Sequence, residues 1–113
     1  MNHKLGLQEV YYRLVKSGIK IYEGRLNDEK RKLMNVGDTI EFLKDPDRVD
    51  SFQAIIVNRY EFSSFNEMVD KLELKKLGFI KESKEEIIKV YHQFYSSEDE
   101  SKYGVVVFEV KVL

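Results

Sequence analysis

Leu7, Val10, Tyr11, Leu14 and Val15 fall at the i, i+3, i+4, i+7, i+8 spacing of an amphipathic helix. Lys16 sits in its last turn and Gly18 stands just beyond, where a helix stop is expected. The periodicity then changes. Residues 19–26, "IKIYEGRL", and 39–43, "TIEFL", read as strands separated by a polar stretch, "NDEKRKLMNVGD". "KDPDRVD" is a loop with the only proline, Pro46. Residues 51–61, "SFQAIIVNRYE", form a longer strand with apolar residues on both faces. Such a strand suits a barrel or a sheet covered on both sides.

Ser64 and Glu67 have capping-box spacing, followed by the stripe Phe65, Met68, Val69 and Leu72 and later by Gly78. A second box, Ser83 to Glu86, opens a helix with Ile87, Val90, Tyr91 and Phe94 turned inward. "SSEDESK" reads as an acidic loop, and Tyr103 to Leu113 as a valine-rich final strand. Helix, strands, two helices and a strand do not alternate one for one, so a doubly wound parallel sheet is not expected. The pattern predicts an α+β chain. A small twisted sheet closes into a barrel with peripheral helices, as a single domain over residues 1–113.

Composition narrows the chemistry. The 113 residues contain no cysteine, which excludes disulfides, thiolate nucleophiles and cysteine-held metal centres. No apolar run reaches the length of a membrane span, and "MNHKLGLQEV" lacks the apolar core of a signal peptide. A cytoplasmic protein without a membrane partner is expected. No Gly-rich phosphate loop, dinucleotide fingerprint or nucleophile elbow occurs, so no cofactor is expected. His3 and His92 are far apart without nearby ligand partners, so a metal site is not expected and packing or surface roles are.

Net charge is −1, but residues 1–32 hold eight Lys/Arg against four acids. A basic end permits a local nucleic-acid or nucleotide patch, with Lys30, Arg31 and Lys32 as its densest part. Solvation of a helix and a loop explains the same charges. Most aromatics, including Tyr11, Phe42, Phe65, Phe94 and Phe108, fit core periodicity. Tyr22, Tyr60 and Tyr103 stand in strands beside charged residues or glycine and stay open for base stacking.

The oddest stretch is "GIKIYEGRL", residues 18–26, where Lys20, Glu23 and Arg25 crowd beside two glycines. Strand alternation puts Glu23 and Arg25 on one face and Lys20 on the other. A bulge at Gly24, or a start after Gly18 that leaves Lys20 ahead of the strand, would let all three converge. Two readings stand. One is an ion pair at a sheet edge, contributing ~0–1 kcal/mol if exposed. The other is a site in which an Arg–carboxylate fork reads a base edge or phosphate and Lys20 supplies a charge or an acid/base group.

The segment "VKSGIKIYEGRLNDEKRKLMNVGDTIEF" resembles the ASCH domain family (activating signal cointegrator homology), a relative of the PUA barrel. Gly18, Lys20, Glu23 and Arg25 match its Gly-x-Lys-x-x-Glu-x-Arg run, and Gly37 and Asp38 match the Gly-Asp before the next strand. "YEFSSFNEM", "KKLGF" and "SKEEIIKVYHQFYSSEDESKYGVVVFEV" extend the match over nearly the whole chain. The resemblance implies a PUA-like barrel and a cleft lined by the first motif. It implies RNA or a nucleotide-like ligand, with Lys20, Tyr22, Glu23, Arg25 and Tyr103 as ligand-binding candidates. One branch of the family resembles amidohydrolases acting on acetylated cytidine, and another is linked to RNA cleavage. The first has threonine where this chain has Glu23, so Lys20 is kept and the hydroxyl is not. Three functions follow as expectations. The chain is a binding module, a hydrolase with Lys20 and Glu23 as catalytic groups, or an interaction domain that forms a homodimer through its last strand.

Overall fold

The computed structural model describes residues 1–113. Five strands, β1 (Asn2–Leu7), β2 (Tyr22–Leu26), β3 (Thr39–Lys44), β4 (Ser51–Phe62) and β5 (Val105–Val112), form one sheet in the order β1-β3-β4-β5-β2. The first pair is parallel and the rest are antiparallel. Four helices, α1 (Glu9–Lys16), α2 (Phe65–Lys71), α3 (Lys84–His92) and α4 (Ser97–Tyr103), surround it. The sheet curls into a half-barrel, a mixed α+β fold.

Two cores share this sheet. Inside the curl, Leu5, Leu7, Ile40, Phe42, Ala54, Ile56, Val106 and Phe108 pack with Tyr12 and Val15 of α1. On the other face, Val105, Val107 and Leu26 pack with Phe65, Met68, Ile87 and Tyr91. β5 serves both through simple alternation. β4 crosses from one core to the other by a different device. Its register against β5 shifts between Ile56 and Asn58, and the extra residue reverses which side chains face inward. Ala54 and Ile56 therefore belong to the first core, while Tyr60 and Phe62 border the second.

Both capping boxes form their first half. The Ser64 hydroxyl accepts from Glu67 N–H, and Ser83 from Glu86 N–H. At Ser83 the Glu86 carboxylate also accepts from the Ser83 N–H, completing the reciprocal box.

Several expectations are corrected. "NHKLGL" is strand β1, and Leu7 ends that strand rather than starting a helix. Helix α1 begins at Glu9, with Tyr12 and Val15 buried and Val10 exposed. Residues 19–21 precede β2, because Ile19 N–H and Lys20 N–H both donate to Leu14 O. The acidic "loop" is helix α4, capped by Ser96, whose hydroxyl accepts from Asp99 N–H. Phe94 lies beyond α3 and is 54% exposed. The last strand lies between β4 and β2, so its valines fill the cores and it has no free edge for homodimer pairing.

Candidate functional site

Helix α1 ends on a turn that governs the site. Gly18 has φ +84°, a conformation glycine adopts without steric cost. The chain doubles back, and Lys20 swings inward ahead of β2. Its side chain is buried, the residue 3% exposed. The ammonium donates to Tyr22 O at 2.7 Å and Leu77 O at 2.6 Å. Gly78, at φ +98°, lets the stem pass: a Cβ there would lie 3.0 Å from Lys20 Cδ. Burial pushes the Lys20 pKa down, and Glu23 partly opposes that.

Glu23 and Arg25 alternate onto one face of β2, opposite Phe108 and Val106 of β5. Arg25 Nε donates to Glu23 Oε1 at 3.2 Å, and Nη2 donates to Gly6 O at 2.8 Å. The second bond spans the seam, because β1 and β2 are the unpaired ends of the half-barrel. Burial, the largest single influence, lowers the Arg25 pKa, but the charge and hydrogen bond of Glu23 together with the nearby Tyr95 and Tyr91 outweigh it, and the net direction is up. Glu23 itself is 6% exposed, and its Oε2 is buried with no hydrogen-bond partner. An unpartnered carboxylate oxygen is costly to bury, and Glu23 is one of the residues that line a cavity.

The cavity occupies the seam and has a volume of about 300 Å³. Lys20, Glu23 and Arg25 all line it. Tyr11, Phe79, Tyr91 and Tyr95 build an aromatic wall, and the exposed Phe94 stands on its border. Burial raises the Tyr11, Tyr91 and Tyr95 phenols, and the Glu23 charge adds to the rise. These hydroxyls therefore stay protonated, and none of them donates to the carboxylate. Gly24 admits the wall: a Cβ there would lie 3.2 Å from Tyr91 Oη and 3.0 Å from Met68 Sδ. Six lining residues are Lys or Arg and two are acidic, so the cleft is basic in a chain of net charge −1.

The family model of the ASCH domain matches residues 5–113. The chain belongs to the ASCH domain family. No curated protein matches it. Among solved structures, this ASCH domain is similar to the crystal structure of hypothetical protein PH0355, at 39% identity and TM-score 0.86, with 100% of each chain covered. It is similar to the solution NMR structure of PF0455 from Pyrococcus furiosus, at 38% identity and TM-score 0.80, covering 100% of this chain and 98% of that one. A crystal structure of an ASCH protein from Zymomonas mobilis shares the fold at 13% identity and TM-score 0.66, over 96% of this chain and 65% of that one.

Within this ASCH domain the other candidates separate. Tyr22 alternates to the opposite face from Glu23 and meets Tyr60 edge-on at 6.2 Å. Tyr103 ends α4 and packs at the second core. Neither lines the cavity. Lys30 and Arg31 do and Lys32 does not. Arg31 is tied to Asp28 through its backbone N–H at 3.1 Å and Nη1 at 3.2 Å, so the basic run is not uniformly free. His92 bonds Glu100 at 2.7 Å and His3 bonds Asp38 at 2.9 Å; neither lines the cavity. The aromatic wall is the part sequence reasoning missed. Tyr91 and Tyr95, at i and i+4 around the end of α3, carry the same signal as a core stripe.

Proposed function

We propose that the seam cavity of this ASCH domain binds one nucleotide unit, free or within single-stranded RNA. The Glu23 carboxylate carries the reading. It keeps one buried oxygen unpartnered in a cavity walled by aromatics. That oxygen suits an exocyclic amine or ring N–H of a base. Arg25, with Nε and Nη2 engaged, keeps Nη1 for an acceptor. Tyr91, Tyr95 or Phe94 offers a stacking face. A volume of about 300 Å³ is at the small end of ligand sites, which favours a single base with its sugar. The basic lining favours an anionic ligand.

Titration with ribonucleosides, mononucleotides and short single-stranded RNA tests this. The chain has seven tyrosines and no tryptophan, and Tyr11, Tyr91 and Tyr95 line the cavity, so part of the tyrosine emission responds to its occupancy. Saturable quenching that Arg25→Ala weakens is expected, with RNA affinity falling as salt rises. No saturable binding to any of these ligands would refute the reading.

A hydrolase is the second reading, favoured by the lowered pKa of Lys20 beside Glu23, a setting suited to acid/base work. Incubation with acetylated and other modified nucleosides separates the two. Lys20-dependent product means an enzyme, and binding without product means a binding module.

A further inference from the structure

Gly6 is the meeting point of two guanidinium groups. Its carbonyl accepts from Arg25 Nη2 at 2.8 Å. Above its Cα, the space a side chain would fill is taken. A Cβ on Gly6 would lie 2.5 Å from Arg48 Nη2 and 2.7 and 2.9 Å from the Asp45 carboxylate oxygens. Arg48 comes from the loop between β3 and β4, far in sequence from the family motif. Asp45 N–H donates to Leu7 O at 2.8 Å, which ties that loop to β1. Arg48 N–H closes it by donating to Lys44 O at 2.8 Å.

Arg48 itself has φ +58° and is the one non-glycine residue at positive φ. A bulky side chain there is uncommon and is retained where the surroundings over-determine it. Asp45 Oδ1 accepts from Arg48 Nε at 2.8 Å and fixes the direction of the guanidinium. Nη1 and Nη2 make no hydrogen bond, the side chain is 55% exposed, and the residue lines the cavity. A planar guanidinium, oriented through Nε with both terminal nitrogens open, matches two oxygens of a phosphate.

We propose that Arg48, seated over Gly6 by Asp45, recognises a phosphate or phosphodiester group of the ligand. The inference rests on the nucleotide reading above and extends it. Arg25 and Glu23 face the base, and Arg48 faces the phosphate across the width of one glycine. Asp45 is a positioning residue.

Calorimetric titration of the full chain with the four ribonucleosides, their 5′-monophosphates and inorganic phosphate tests it. A monophosphate should bind at least about tenfold tighter than its nucleoside, as a charge-assisted contact implies. Arg48→Asn should bring that ratio toward one, and asparagine tolerates positive φ, so the fold is kept. Arg48→Lys should retain part of the preference, and Asp45→Ala should lower the ratio while Arg48 is present. A ratio of one in the native protein, or one unchanged by Arg48→Asn, overturns the proposal. A monophosphate that binds tighter than inorganic phosphate supports a nucleotide ligand, and the reverse order overturns that form. If no nucleoside or nucleotide binds, the nucleotide reading fails by itself. Inorganic phosphate then decides Arg48: a saturable shift of its Nε–H NMR resonance supports the phosphate contact, and an unmoved resonance overturns it.

Discussion

The β3–β4–β5 wall and the β1/β2 seam are built from different materials. In the wall each strand has a neighbour on both sides, and Ile40, Phe42, Ala54, Val106 and Phe108 are fully buried. Its backbone groups are paired by ladders and its side chains by apolar contact. At the seam each strand lacks one neighbour, and Arg25 of β2 reaches across the gap to Gly6 O of β1. Lys20 holds two carbonyls, Arg25 holds a third, and Glu23 leaves an oxygen over. Buried polar groups cost free energy unless satisfied. An apolar plug or another strand would have closed the barrel more cheaply. Stability therefore resides mainly in the wall, and the proposed recognition of a ligand falls to the seam.

Substitutions confined to one region or the other test this contrast. The largest effect is expected in the wall. Phe108→Ala should destabilise by about 3–5 kcal/mol, read from urea unfolding midpoints. A loss below about 1 kcal/mol would show that the wall is not the main source of stability. Lys20→Ala comes next. A surface lysine would change little, but Lys20 is buried with two carbonyl acceptors. Orphaning them should cost about 2 kcal/mol, with water from the cavity limiting the loss. An unchanged melting temperature would place the lysine outside the fold's support.

The smallest pH effect lies at the edge strand β1. Asp38 accepts from His3 and from Asn35 N–H, and it pairs with the N-terminus. These contacts, His3 foremost, hold its carboxyl at about 2. A depressed carboxyl stabilises the fold above its ordinary pKa near 3.8, and that contribution is lost as pH falls through about 2. Asp38→Asn should remove this window. Identical acid unfolding curves for the two proteins would mean that the contact does not help anchor β1.

Much of this contrast was legible in the chain. The barrel strands follow their apolar patterns, and the α2 and α3 starts follow their serine caps. The route for Lys20 was legible only as one of two, a bulge at Gly24 or a turn at Gly18 that leaves Lys20 ahead of the strand, and the chain takes the second. Other parts were hidden for physical reasons. β1 has only Leu5 and Leu7 as inward apolar residues, and Leu7 also fits a helical stripe. α4 carries little apolar signal, and Ser96 to Asp99 resembles any polar turn. The cavity wall was hidden because Tyr11, Tyr91 and Tyr95 have core periodicity whether they face a core or a ligand. Arg48 depends on a loop conformation that no periodicity encodes.

Whether the unpartnered oxygen of Glu23 serves a ligand is decided by Glu23→Gln. Glutamine retains an acceptor for Arg25 Nε and replaces the unpartnered oxygen with an N–H donor. Affinity for mononucleotides, measured with the melting temperature on the same samples, decides the matter. Affinity should fall at least about tenfold, because an acceptor becomes a donor where the base would bind. A loss of stability of up to about 3 kcal/mol accompanies it, because the buried Arg25 keeps a hydrogen-bond acceptor but loses its counter-charge. A protein that loses stability yet binds mononucleotides as well as before would contradict the ligand role, and Glu23 would then be only half of a buried ion pair.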